Sequence, residues 1–417
     1  MRCFIDGISH AGEGVARIDG KATFIPFAIP GETVEVDITV DKKKFRRAVL
    51  TEIIDSSPAR ITPDCPHYYE CGGCAYQHMS YDKQLALKQT VVYETINRIG
   101  KIELPVNPIL GMENPWRYRN KVEWHVDRIN GQLKMGYYQN DSHRIIEINT
   151  CKLISIEMEN LSLYIKARLE EMRLPDHCEL VIRQSSLNHK LMLIFRGEGT
   201  EDVNIDGLLD YPELESIYCI DNEYYTLLYG EPYLEEEING IHYDISALSF
   251  FQVNSLQTRK LYELVKEYAH IERGYRVLDA YCGIGSIAMS LAQSARKVTG
   301  VESYPPAIQD AVHNALKNNI KNCDFLTGSC EILIPQLIDK FEMVVLDPPR
   351  SGCSEDLIQS IVNLNPYRIV YVSCNPATLA RDLALFEQGG YETKEIQPVD
   401  MFPQTSHVET VVLIERK

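Results

Sequence analysis

No stretch of the 417 residues is an uninterrupted apolar run of about 18, so nothing in the chain is long enough to cross a bilayer as a helix. The opening residues Met1-Arg2-Cys3-Phe4-Ile5-Asp6-Gly7 lack the apolar segment of an export signal, which places the protein in the cytoplasm as an expectation. Without export, the 12 cysteines predict free thiols, a metal or a cluster, and exclude a disulfide framework. Repeats and low-complexity tracts are also missing. Lys and Arg are absent from Gly197 to Thr258, where 14 Asp or Glu fall. The net charge of −17 therefore belongs mainly to one window, and the rest of the chain is free to meet a polyanion.

What is present fits a soluble protein of two or three domains, with 45% hydrophobic and 24% charged residues. Lys42, Lys43, Lys44, Arg46 and Arg47 form one basic run, and Arg117, Arg119 and Lys121 form a second, interleaved with Trp116 and Tyr118. Cations beside aromatic rings suit a polynucleotide, the charge for phosphate and the rings for unpaired bases; a solvated face is the alternative. Residues 1–56 hold short alternating segments such as Thr33 to Val40, punctuated by glycines, and predict a small β-barrel. This stretch resembles the TRAM module, an OB-like RNA-binding barrel.

A boundary at Ser56-Ser57-Pro58 precedes Cys65, Cys71 and Cys74, spaced Cys-x5-Cys-Gly-Gly-Cys. Three thiols joined by two glycines can turn their sulfurs towards one point, which favours a soft metal centre, and Cys151, the next cysteine, is the candidate fourth ligand. Zinc remains an alternative occupant. The spacing predicts a helix from Tyr81 to about Ile99, mixed α and β from 110 to 245, strands at 121–127, 180–184 and 191–195, and a helix over 156–172. Glu235-Glu236-Glu237 reads as a solvated run.

The last 170 residues or so alternate strand and helix, as in a doubly wound sheet. Arg276 to Ala280 is a strand, Tyr281-Cys282-Gly283-Ile284-Gly285-Ser286 a glycine turn, and Lys297 to Glu302 the next strand, ending in an acid. Gly-x-Gly without a third glycine does not demand a pyrophosphate, and an acid placed to bond two ribose hydroxyls suits S-adenosylmethionine; a nicotinamide dinucleotide is the alternative. Asp347-Pro348-Pro349 is followed by Arg350, which cannot stack like an aromatic ring and suits a phosphate or carboxylate instead. Cys374 sits between the apolar run Ile369 to Ser373 and a helix entered through Pro376, where the helix amino terminus would favour a thiolate. His407 and Glu409, two apart, are predicted to face one side before a buried strand at 411–414, and either could act as a base.

In combination and in order, the cysteine cluster, Phe250-Phe251-Gln252-Val253-Asn254, the Asp279 to Gly285 turn, Asp347-Pro-Pro-Arg, Ser373-Cys374-Asn375-Pro376 and His407-Val408-Glu409-Thr410 resemble the bacterial RNA uracil-5-methyltransferase family over nearly the whole chain. The resemblance implies an α/β fold with a TRAM barrel (1–56), a mixed α+β central domain (57–245) and a class I methyltransferase domain (246–417). It implies a [4Fe-4S] cluster on Cys65, Cys71, Cys74 and Cys151, Cys374 as nucleophile and Glu409 as base. S-adenosylmethionine is expected against Gln252, Tyr281, Gly283, Gly285, Glu302 and Asp347. Ser286 and Ser329 are further candidates there, although members often carry asparagine at both places. The implied partner is RNA, with 23S ribosomal RNA ahead of transfer RNA, and the protein is expected to be a monomer. A cytosine-C5 enzyme would carry a second cysteine after the proline of Asp-x-Pro, where Pro349 or Arg350 stands here. A non-catalytic RNA-binding assembly factor is the remaining rival.

Overall fold

The computed structural model describes residues 1–140, 142–221, 224–272 and 274–417. Its amino-terminal strands β1 (Arg2–Phe4), β2 (Gly7–Ile8), β3 (Gly14–Ile18), β4 (Lys21–Ile25), β5 (Thr33–Asp41) and β6 (Phe45–Asp55) form one sheet in the order β1-β5-β6-β4-β3-β2. Alternation along β5 turns Val34 and Val36 inwards onto Ile5, Ala16, Ile25 and Ala48, with Glu35 and Asp37 outside. Lys42, Lys43 and Lys44 occupy the exposed turn between β5 and β6. The two arginines of that run are engaged within the barrel, Arg46 with Asp19 at 2.9 Å and Asp41 at 3.1 Å, Arg47 with Glu13 at 3.4 Å. Glu32 fastens the barrel to the chain that follows it, accepting from Arg60 at 2.6 and 2.7 Å and from the amides of Ile29 and Ser57.

Helix α1 (Tyr81–Thr95) continues into a wider turn over Ile96–Gly100 and buries Gln84, Leu87, Lys88 and Val92 along one stripe. A second sheet follows from β7 (Lys121–Ile129), β8 (Gln132–Tyr138), β9 (Ile145–Glu147), β10 (His177–Gln184), β11 (Leu191–Arg196), β12 (Leu214–Asp221) and β13 (Tyr224–Gly230), ordered β13-β12-β11-β10-β7-β8-β9. Helix α2 (Ile156–Lys166) packs Met158, Leu161 and Ile165 on its Val122, Trp124, Leu180 and Leu193. It ends six residues earlier than the spacing predicts. Beyond Ala167 the backbone goes over to turns such as Arg168 N to Ile165 O and Glu171 N to Arg168 O, which carry Leu169 and Met172 into the same core.

The hairpin β14 (Leu234–Ile238) and β15 (Ile241–Ile245) and helix α3 (Ser255–Ala269) lead into the third sheet. Its strands are β16 (Arg276–Ala280), β17 (Lys297–Glu302), β18 (Cys323–Thr327), β19 (Met343–Leu346), β20 (Arg368–Ser373), β21 (Tyr391–Val399) and β22 (Glu409–Arg416). Helices α4 (Ser286–Ala292), α5 (Pro305–Lys317), α6 (Cys330–Leu333), α7 (Glu355–Leu364) and α8 (Pro376–Gln388) connect them. The order is β18-β17-β16-β19-β20-β22-β21, and β22 runs against both its neighbours while the others are mutually parallel. Successive residues serve opposite faces: Val277 and Val345 join the core under α3 and α4, Leu278 and Val344 the core under α7 and α8. Among the described residues no helix is long and apolar enough to cross a membrane, and all 12 cysteines are free thiols.

Candidate active site

Parallel strands end together at one edge of the sheet, and the antiparallel β22 begins there. Ser373, the last residue of β20, pairs with Thr410, so the next step of the register sets Cys374 against Glu409, the first residue of β22. Leu346 pairs with both Ala280 and Tyr371, which brings Asp347 and Tyr281 to the same edge. Asn375 caps α8 by accepting from the Ala377 amide at 3.0 Å, and Pro376 takes the first helical position, so the Cys374 turn is built from local chemistry.

The electrostatics of that turn differ from the thiolate expected of it. Cys374 is pushed up to about 11, first by burial, then by Glu409 and Asp347, with Arg350 opposing them. Asp347 is raised to about 7 by burial, and Glu409, 6% exposed, is raised well above its ordinary range by burial and by Asp347. Loss of water and two neighbouring carboxyl groups outweigh the helix end and the one guanidinium, so Cys374 stays a thiol around neutral pH, Asp347 is near its midpoint there, and burial favours the neutral form of Glu409. His407 and Glu409 differ in exposure. His407 is exposed and is lowered to about 4 by desolvation, Arg350, Lys88 and Arg119, whereas Glu409 is buried against Cys374.

A cofactor cradle lies next to this edge. Tyr281, Gly283 and Gly285 adopt positive φ, and a Cβ on Gly285 would meet Phe325 at 2.7 Å. Glu302 accepts from the amides of Gly283 at 3.2 Å and Tyr304 at 2.8 Å, holding the acid under the glycine turn. Asp279 is wholly buried and raised well above the usual range, with neither carboxylate oxygen in a good hydrogen bond; only the Ala288 amide favours its charge. A buried carboxyl of this kind suits a ligand that brings cationic or N–H donors. Tyr281 donates to Glu331 at 2.6 Å, Ser329 bonds Glu331, and Ser286 Oγ is 2.6 Å from the Tyr262 hydroxyl, so all three side chains already have protein partners. Gln252 is held by its backbone, its carbonyl accepting from Asn120 at 3.0 Å. In the sequence Asp279 stands out only as the start of the turn; a carboxylate ending a first strand before Gly-x-Gly is the signal that could have singled it out.

Two family models match the chain: a TRAM domain over residues 2–51, and tRNA (uracil-5-)-methyltransferase over 226–340 and 336–417. An RNA methyltransferase of Bacillus cereus is 40% identical, with 99% of this chain and 95% of the relative covered, and one of Halalkalibacterium halodurans is 41% identical, at 99% and 96%. The crystal structure of Pyrococcus abyssi tRNA (uracil-54, C5)-methyltransferase in complex with S-adenosyl-L-homocysteine superposes with a TM-score of 0.79 at 27% identity, over 99% of this chain and 100% of that one. The chain belongs to the RNA uracil-5-methyltransferase family. It is an RNA methyltransferase with a TRAM domain at its amino end and a methyltransferase sheet at the other.

In this family member, Cys65, Cys71, Cys74 and Cys151 line one cavity of about 100 Å³, although Cys151 lies 77 residues beyond Cys74 in sequence. Burial raises Cys74 to about 12 and Cys71 to about 11, and the thiols raise one another. Among the described residues no three His, Cys, Asp or Glu side chains converge as they would on a metal ion. Arg119 also lines the cavity, half-buried, with its buried Nε lacking a hydrogen-bond partner. Most of the second basic run is engaged within the protein. Arg119 turns to the cysteines, Tyr118 is 5% exposed, Arg117 bonds Cys151 O, Ile154 O and Glu159, and Lys121 pairs with Glu123 at 2.6 Å. The acidic run is likewise structural: Glu236 is 1% exposed and accepts from Ser186, Glu235 pairs with Lys317, and Glu237 pairs with Arg259.

Proposed function

We propose that this enzyme methylates C5 of a uridine in RNA, with Cys374 as nucleophile and Glu409 as base. The observation that carries the reading is the register that sets Cys374 against Glu409 at the carboxyl edge of the sheet, beside Asp347. C5 of uracil is a poor nucleophile. The Cys374 thiol gives its proton to solvent, its sulfur adds to C6, and the displaced electron pair makes C5 an enolate carbon able to take a methyl group. S-adenosylmethionine, the proposed cofactor, would supply that methyl as an electrophile, its sulfonium–methyl bond breaking to leave S-adenosylhomocysteine. Glu409, ionised, then removes the C5 proton, and the returning electron pair expels Cys374. Gln252, Tyr281, Gly283, Gly285, Glu302 and Asp347 would hold cofactor and target, and Asp279 joins them. Ser286 and Ser329 are further candidates, their hydroxyls, like that of Tyr281, already bonded within the protein.

Cys374→Ala is expected to abolish both turnover and covalent attachment to RNA. Glu409→Gln should add and methylate yet fail to release, leaving a denaturant-resistant RNA–protein band. Normal turnover by Cys374→Ala would sink the assignment.

The same proposal places a [4Fe-4S] cluster on Cys65, Cys71, Cys74 and Cys151. Sulfurs arranged round a cavity, not converging on one point, suit a polynuclear group better than a single zinc ion, and Arg119 offsets thiolate charge. Anaerobically prepared protein should contain about four iron atoms per chain; stoichiometric zinc without iron would overturn this. The division at about 56 and 245 stands as a proposal, with the β14–β15 hairpin packing in the core of the third sheet. For the substrate we favour 23S ribosomal RNA, because a barrel joined to a cysteine domain resembles the ribosomal branch. Transfer RNA is the second reading, favoured by the full-length likeness to the Pyrococcus abyssi enzyme. Mapping 5-methyluridine by mass spectrometry in ribosomal and transfer RNA from a deletion strain decides between them.

A further inference from the structure

Arg350 closes the Asp347-Pro348-Pro349-Arg350 segment, and no step described so far uses it. Its side chain is exposed at the rim of the site and makes no ion pair among the described residues; its guanidinium lies 3.4 Å from Nε2 of His407. The backbone beneath it is firmly held. Arg350 O accepts from Asn375 Nδ2 at 3.0 Å and Thr378 Oγ1 at 3.2 Å, both at the entrance of α8. Arg381 donates to Ser351 O at 3.0 Å and Cys353 O at 2.9 Å, and the Cys353 amide donates to Asp382 at 2.8 Å. Gly352, at φ +73°, passes so close that a Cβ there would meet Asp382 Oδ2 at 2.6 Å. The helix that begins just after Cys374 therefore fixes where Arg350 starts.

An unpaired guanidinium on a rigid backbone, at the mouth of a site that receives a polyanion, has an obvious ligand in phosphate. Arginine presents two N–H groups in a fork that matches two phosphate oxygens. The amino end of α8 adds partial positive charge on the same side. His407, held neutral, can offer one N–H without a further charge. The acids facing this rim, Asp347 and Glu409, are raised by burial and so repel a phosphate less than two ordinary carboxylates would.

We propose that Arg350 and His407 clamp the backbone phosphate next to the target uridine and so hold the extruded nucleotide with its ring against Cys374. This rests on the uridine-C5 reading above. A base rotated out of its stack is fixed only by its ring and its flanking phosphates, and a second point of attachment lowers the orientational cost of reaching the thiol.

The test is a cycle between protein and RNA. A short synthetic RNA spanning the mapped uridine is made in two forms, one native and one with neutral methylphosphonates at the linkages flanking that uridine. Arg350→Gln should bind the native RNA roughly ten- to a hundred-fold more weakly, the worth of a charge-assisted hydrogen bond. Wild type should lose a similar factor on the neutral RNA, and Arg350→Gln almost nothing further; Arg350→Lys should recover part of the loss on native RNA. Additive losses would overturn the clamp. Because Arg350 also favours the Cys374 thiolate, alkylation of Cys374 by iodoacetamide, followed by mass spectrometry, should slow only a few-fold in Arg350→Gln and recover in Arg350→Lys; a slowing as large as the loss of RNA affinity would assign Arg350 to the thiol, not the phosphate, and also overturn the clamp. Failure of the wild type to methylate this RNA strikes the uridine reading, whereas additivity strikes the clamp alone.

Discussion

Asp347 concentrates the tension of the site in one carboxyl group. Its ordinary pKa of 3.8 rises to about 7 on burial. Between those values the unfolded chain carries a charge that the folded chain does not, so folding becomes less favourable as pH rises from about 4 to about 7, and levels off above. Each unit is worth about 1.4 kcal/mol, so Asp347→Asn is expected to stabilise the enzyme by roughly 2–4 kcal/mol at pH 7.5 and scarcely at all near pH 4. Denaturant unfolding at the two pH values measures this; an equal gain at both would mean that burial does not hold Asp347 protonated. By the same sign, turnover should climb with pH through the neutral range, because Cys374 and Glu409 must both be ionised to act. The identities of Cys374, Glu409, Asp347 and the glycines were legible because each sits in a short motif whose spacing the chemistry dictates. Their protonation was not, since it depends on Glu409 facing Cys374 from a strand 35 residues away.

Among the elements, α1 does more than its apolar spacing foretold. Lys88, fully buried, bonds Asp400 at 2.5 Å and Phe402 O at 3.0 Å, and Tyr81 bonds Asp400 at 2.7 Å. Gln84 exchanges two hydrogen bonds with Gln404, whose carbonyl also accepts from the amides of Ala75 and Tyr76, just past Cys74. The loop leading to Glu409 is thus held by the helix and by the cysteine segment together. Removing only the lysine leaves a carboxylate buried without compensation, so Lys88→Met is expected to cost about 3–5 kcal/mol, and Lys88→Met with Asp400→Leu much less. Thermal or denaturant melts of the three proteins check it; additive losses would show that the pair is not coupled. Period and capping made α1, β16, β17 and α8 readable. The burial of Gln84 and Lys88 was hidden because their partners lie more than 300 residues away.

At the scale of the whole molecule, the formal charge of −17 is unevenly distributed along the chain. The acidic window is occupied internally, through Glu236 with Ser186 and Glu237 with Arg259. Arg46 and Arg47 are ion-paired within the barrel, Arg47 while still exposed, which leaves Lys42, Lys43 and Lys44 as the exposed cations of their run without an ion pair among the described residues. Replacing the three lysines by alanine should flatten the slope of log K against log salt by about 0.7 to 0.9 for each phosphate no longer neutralised, weakening all RNAs alike. An unchanged slope would reduce the barrel to a spacer. The sequence marked this run as basic, and only the fold separates its paired arginines from its free turn.

The antiparallel register between β20 and β22 has a genetic consequence. Because side chains alternate across a strand, a one-residue slip of β22 would turn Glu409 away from Cys374 and bring Val408 or Thr410 in its place. An in-frame gain or loss of a single codon at 410–412, inside β22, would then make a null allele out of a chain whose other two sheets fold as before, whereas the same lesion in the exposed turn at Lys42 to Lys44 would pass as a mild one.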